Sequence, residues 1–104
     1  MNYVFDIDGT LCTNTDGDYS KAVPFVERIQ RVNNLFDQGD YIIVYTARGM
    51  GSSGNNAEIA KAKWESLTKE QLSAWGVKYH LLFLGKPSGD LYVDDKATKD
   101  LDFF

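Results

Sequence analysis

Asp6 and Asp8 stand one residue apart in the stretch YVFDIDGTL, directly behind an apolar run and in front of Gly9. Like charges at the mouth of a core repel, so the pair needs a countercharge or a purpose. Later apolar runs are followed by polar groups of their own: Thr46 and Arg48 in YTAR, Lys86 in GKP, and Asp94 with Asp95 in VDD. Asp6, Asp8, Asp94 and Asp95 converging without a cation would repel strongly, and some would take up protons. A hard divalent ion such as Mg²⁺ resolves the conflict, because it takes oxygen ligands and commonly sits between carboxylates and a substrate phosphate. Lys86 adds positive charge and Thr46 a hydroxyl. A phosphate dianion beside a metal is the ligand that complements this set.

With phosphate in place, one carboxylate can attack phosphorus and form an aspartyl-phosphate. The second can protonate the leaving oxygen and then activate water. Asp6, at the strand end, is the natural nucleophile, and Asp8, on the turn beyond, can reach the leaving group. Gly9 lets the backbone bend away at that point.

These residues must be positioned by a scaffold, and the apolar pattern supplies one. Residues 2–6 and 41–46 are short runs rich in β-branched and aromatic residues, the pattern of strands buried on both faces; 79–84 and the very short 91–93 read as two more. Between the first two, Phe25, Ile29, Val32 and Phe36 recur at helical spacing, with Pro24 suited to the first turn and Gly39 to the end. Residues 57–66 read as a second helix, and Thr68 with Gln71 as the capping box of a third, closed near Gly76. Leu67, Leu72, Trp64 and Trp75 read as helix faces packed on the sheet. Strands alternating with helices imply a parallel sheet in an α/β fold. Asp6, Asp8, Thr46, Arg48, Lys86, Asp94 and Asp95 then all fall at the carboxyl edge, where open α/β sheets bind ligands.

In this order the motifs resemble the haloacid dehalogenase superfamily, and specifically its phosphatases. DIDGT matches the nucleophile motif, YTAR the Ser/Thr motif, GKP the lysine motif and VDDKA the terminal acid pair, over residues 3 to 97. The resemblance implies that Asp6 is nucleophile and metal ligand, and that Asp8 is general acid/base and gives its backbone carbonyl to the metal. It implies that Thr46 hydrogen-bonds the transferring phosphoryl group and that Lys86 holds it and neutralises the nucleophile. Asp94 and Asp95 would bind Mg²⁺, one directly and the other through water. Because position 8 is Asp, the resemblance favours a phosphatase over a dehalogenase that cleaves carbon–halogen bonds. It also implies a three-layer, Rossmann-like core with a mostly parallel sheet of about four strands.

Compared with larger members, the segments between Gly9 and residue 22 and between Thr46 and Lys86 leave room for a flap but not for a cap domain. The chain also ends about ten residues after Asp95, before the last helix and strand of larger relatives, and Phe103–Phe104 are expected to tuck against the sheet edge. An open site suits a large phosphorylated substrate or a small one covered by another subunit of a homo-oligomer. Small capless members with this pattern are similar to proteins of sugar-phosphate and capsular polysaccharide biosynthesis, which points to a sugar phosphate.

The bulk numbers agree with a single domain over residues 1–104, whose formal charge of −4 argues against broad nucleic-acid binding. One cysteine, Cys12, asks for no oxidising compartment, and no stretch approaches a membrane span or a secretory leader. A soluble cytoplasmic protein is expected.

Blander roles compete at several positions. Asp-x-Asp-Gly also forms ordinary turns, and Thr46 could merely satisfy backbone groups at a strand end. Arg48 suits either a substrate phosphate or sugar, or a surface or helix-capping role. The loop 49–54 lacks the Gly-Lys-Ser/Thr ending of a nucleotide P-loop, and reads as a substrate-side loop or a connector. His80 and Cys12 read as structural. A signalling receiver domain would use similar residues, but there the acid pair precedes a phospho-acceptor Asp on a later strand. A silent relative binding a phosphorylated partner would be marked by loss of Asp6 or Asp8, and both are present.

Overall fold

The computed structural model describes all residues from Met1 to Phe104. Strand β1 (Asn2–Phe5) leads through a long loop and a 3₁₀ turn (Tyr19–Lys21) into helix α1 (Val26–Asp37). Strand β2 (Tyr41–Thr46), helix α2 (Ala57–Ala74), strand β3 (Leu81–Leu84) and a single-turn helix α3 (Asp100–Phe103) follow. The strands form a parallel sheet in the order β1-β2-β3, with Tyr3 beside Ile42, Phe5 beside Val44, and Val44 beside Leu82. The α/β class and the parallel sheet agree with the sequence pattern.

Two expectations change. The sheet has three strands, because Leu91, Tyr92 and Val93 do not pair with it and stay largely exposed. The layers number two rather than three. Right-handed crossovers from β1 to β2 and from β2 to β3 step across the sheet in one direction, so both helices land on the same face. Ile29 and Val32 of α1 and Leu72 of α2 accordingly share one buried cluster with Phe5, Ile42 and Val44. The opposite face, with Val4, Ile43, Tyr45 and Phe83, lines a shallow open hollow. A helix on that side would require a crossover to a strand beyond β1, and 91–93 is not such a strand.

The two faces should respond differently to truncation. Ile42 is fully buried, so Ile42→Ala is expected to cost about 2–5 kcal/mol. Phe83 is 49% exposed, and Phe83→Ala should cost below about 1.5 kcal/mol, half of a full burial gain. Urea unfolding of both variants checks this, and equal losses would contradict the uncovered face.

The region expected to hold two helices is one. Asn56 caps α2 by accepting the N–H groups of Glu58 and Ile59, and the helix runs unbroken through Thr68. Thr68 is fully buried, so Thr68 and Gln71, spaced as a capping box, instead sit on one face of a continuous helix. Gly39 follows α1 with a positive φ of 95° and donates its N–H to Phe36, ending that helix as expected.

The C-terminal aromatics pack as the sequence suggests. Phe103 lies 5.5 Å and Phe104 6.0 Å from the Phe5 ring, centroid to centroid. Arg28 fastens this corner to the first loop, donating to the Thr10 carbonyl at 3.2 Å and to Asp100 at 2.8 Å. His80 is structural: its Nδ1 accepts the Ile42 N–H at 3.0 Å, and its ring stacks between Phe36 and Tyr41.

Candidate active site

The loop after β1 is built around one carbonyl. Ile7 O accepts N–H groups from Thr10, Leu11 and Cys12, and the turn is made possible by Gly9 at φ 83°. A Cβ on Gly9 would also stand 2.8 Å from the Asn14 amide nitrogen. Ile7, Leu11 and Cys12 are fully buried and anchor the loop in the core. Alternation along the chain then turns Asp6 and Asp8 away from Ile7 and toward the carboxyl edge of the sheet.

A cleft of about 440 Å³ opens there, lined among others by Asp6, Asp8, Tyr19, Arg48, Lys86 and Tyr92. The two acids have different surroundings. Asp6 lies 3.5 Å from Lys86 Nζ and accepts the Thr10 hydroxyl at 3.3 Å. Burial pushes its carboxyl above the usual aspartate range, while the Lys86 ammonium pulls in the opposite direction. Lys86 in turn sits over the Tyr92 ring, 4.4 Å from its centroid. Its position is set by the strand ends, since Lys86 donates its backbone N–H to the Thr46 carbonyl at 3.2 Å.

Asp8 is gripped by Arg48 in a fork-to-fork pair, with Nε on Oδ2 and Nη2 on Oδ1, both at 3.0 Å. The Arg48 side chain is wholly buried. Its Nη1 donates to Thr68 Oγ1 at 3.3 Å and to Gln71 Oε1 at 2.5 Å. Gln71 Nε2 donates onward to the Tyr19 carbonyl at 2.6 Å, and the guanidinium stands 4.9 Å from the Tyr19 ring centre. Cys12, beside Asp8, has its thiol pushed up to about 12 by burial and then by the Asp8 charge, so it is not a nucleophile at neutral pH.

Asp6, Asp8, Lys86 and Arg48 thus meet in one cleft. Thr46 does not line it: the side chain is buried, and its hydroxyl accepts the Arg48 N–H at 3.2 Å, the backbone-satisfying role. Arg48 neither caps a helix nor lies on the surface. Asp94 and Asp95 stay exposed, outside the residues that line the cleft. Asp94 Oδ1 accepts the Lys96 N–H at 2.8 Å, which holds its carboxyl below the usual range. The expected four-carboxylate metal cage is therefore not assembled, and no three acids, histidines or cysteines stand close enough to share an ion. The physical cause is the missing strand: with 91–93 unpaired, nothing delivers the acid pair to the sheet edge.

Tyr19, Thr68, Gln71 and Tyr92 belong to the site and were not assigned to it from sequence. Only the Thr68–Gln71 spacing carried a signal, since residues three apart share a face once the helix is continuous. The loop 49–54 is a hydrogen-bonded connector: Met50 is buried, its carbonyl accepts the Asn55 N–H, and Asn55 Oδ1 accepts that of Ser88.

No protein-family model matches the chain, and no curated protein does. Among solved structures, the chain is similar to a structural-genomics target from Vibrio cholerae, with a TM-score of 0.90 and 27% identity over 98% of this chain and 85% of that one. It is also similar to part of a chain in the Pnkp1/Rnl/Hen1 complex, with a TM-score of 0.60 and 19% identity, covering 90% of this chain but 30% of that one. The second likeness concerns the fold alone. No helix is long and apolar enough to cross a membrane.

Proposed function

We propose that the chain is a phosphomonoester hydrolase of the haloacid dehalogenase type, working through an aspartyl-phosphate on Asp6. The observation that carries this reading is the pairing of Asp6 with Lys86 at 3.5 Å in a cleft that Asp8 also lines. Asp6 is the less tightly paired of the two acids, and a carboxylate lifted by burial is a better nucleophile. An Asp6 oxygen attacks phosphorus, the bond from phosphorus to the ester oxygen breaks, and Asp8 relays to that oxygen a proton taken up from solvent at its exposed edge. Asp8 then takes a proton from water, whose oxygen attacks the acyl phosphate and releases inorganic phosphate, regenerating Asp6. Lys86 balances charge on the phosphoryl oxygens.

Mg²⁺ is the proposed cofactor. Asp6 and the backbone carbonyl of Asp8 would hold it at the cleft, where it would offset charge on the phosphoryl oxygens; Asp94 and Asp95 lie outside that cleft. The polar groups of Asn14, Thr15 and Asp16 along the cleft suit the hydroxyls of a sugar phosphate. A cytoplasmic location completes the reading.

Hydrolysis of p-nitrophenyl phosphate with and without Mg²⁺ tests the proposal directly. Metal-dependent turnover that disappears in Asp6→Asn is expected. Turnover that survives that substitution would rule out the aspartyl-phosphate route.

A further inference from the structure

We propose that Arg48 is a positioning residue that acts through Asp8 and makes no contact with the substrate. The inference rests on the phosphatase reading above and adds a role to it. An exposed arginine at the edge of a cleft would naturally be assigned to the substrate phosphate. The geometry points elsewhere. Both forks of the guanidinium are engaged inside the protein, Nε and Nη2 on the two Asp8 oxygens and Nη1 on Thr68 and Gln71. The side chain has no solvent-accessible surface, whereas that of Asp8 keeps 17% of its own. Asp8 therefore meets the cleft with Arg48 behind it.

A two-point pair fixes the plane of a carboxylate as a single-point contact cannot. Arg48 is itself fixed from behind by α2 and from the side by the Tyr19 ring, 4.9 Å away. Gln71 closes the frame by donating to the Tyr19 carbonyl at 2.6 Å. The orientation of Asp8 toward a leaving oxygen is thus set by a buried frame running from α2 through Arg48. A group that orients a proton donor affects turnover in proportion to how much the leaving group needs the proton.

The test compares two esters under Mg²⁺: glycerol 2-phosphate, whose alkoxide needs protonation, and p-nitrophenyl phosphate, whose phenolate scarcely does. Arg48→Ala is expected to lower kcat on glycerol 2-phosphate by at least about 100-fold, with a change of only a few-fold on p-nitrophenyl phosphate. KM should stay within about twofold for both, the mark of an interaction absent from ground-state binding. Arg48→Lys should not restore glycerol 2-phosphate turnover, since one ammonium cannot make the two-point pair. Gln71→Ala leaves the ion pair in place and should reproduce the same leaving-group pattern at reduced size, even if Arg48→Ala does not fold. Equal kcat losses on both esters would overturn the positioning role in favour of a general structural one. A KM increase of about tenfold with kcat intact would overturn it in favour of direct phosphate contact. A wild-type chain inactive on both esters would overturn the phosphatase reading, and this role with it.

Discussion

Asp6→Asn is expected to lose about four to six orders of magnitude in kcat and yet to unfold at a higher temperature than the wild type at pH 7. The first effect follows from removing the atom that attacks phosphorus, comparable to the loss of a covalent nucleophile elsewhere. The second follows from the environment of Asp6. Burial lifts its folded-state carboxyl above its ordinary value of 3.8, and the opposing pull of Lys86 does not cancel that lift. A raised acid binds its proton more tightly in the folded state than in the unfolded one. The folded state is thus favoured at low pH, and stability is lost as pH rises through the interval from the unfolded value to the raised one. At pH 7 the ionised side chain is a net burden, which a neutral asparagine of the same shape removes. The gain should vanish as pH falls below about 3.8, where the wild-type carboxyl is protonated in both states. Melting curves from pH 3 to pH 7 check the sign. An Asp6→Asn variant less stable than wild type at pH 7 would contradict it.

The second large effect concerns the other acid. Asp8→Ala is expected to destabilise the fold by about 3–5 kcal/mol, because it strands a buried guanidinium with only neutral partners. A domain of this size has about 5–15 kcal/mol in total, so the variant should be close to unfolding at 37 °C. Asp8→Asn keeps one acceptor oxygen for Arg48 but sets its amide NH2 against the other guanidinium N–H, so it should cost less than Asp8→Ala while still destabilising the fold and removing the proton donor. Arg48→Ala should also cost less than Asp8→Ala, since Asp8 retains an exposed edge through which water can reach its carboxylate, whereas Arg48 has none. Urea unfolding of the three variants at pH 7 gives the order directly. A loss below about 1 kcal/mol in Asp8→Ala would show that the pair is solvated in solution. The practical consequence is that activity lost in Asp8→Ala reports unfolding as well as chemistry, and Asp8→Asn is the variant to use for mechanism.

Much of this protein was legible in the order of its residues. Strongly apolar runs such as YIIVYT leave a strand little choice, because β-branched and aromatic side chains pack well on a pleated sheet. Helical periodicity located α1, and Gly39 marked its end. The parallel α/β pattern by itself sets Asp6, Asp8, Arg48 and Lys86 at one edge, since that follows from strand direction alone.

Tertiary structure decided what those residues face. Whether Thr68 and Gln71 open a new helix or continue an old one is a near-balanced local choice, settled by the burial of Thr68 against Arg48. Whether Leu91–Val93 becomes a strand depends on an edge to pair with, and so on contacts remote in sequence. Asp94 and Asp95 reach the sheet edge only behind such a strand, and lie outside the cleft without it. Arg48 is the clearest case. Its position after YTA says that it stands near the site. Only the packed α2 and the loop of Asp8 show that its charge points inward, because a side chain's partner is chosen by the whole core and not by its neighbours in the chain.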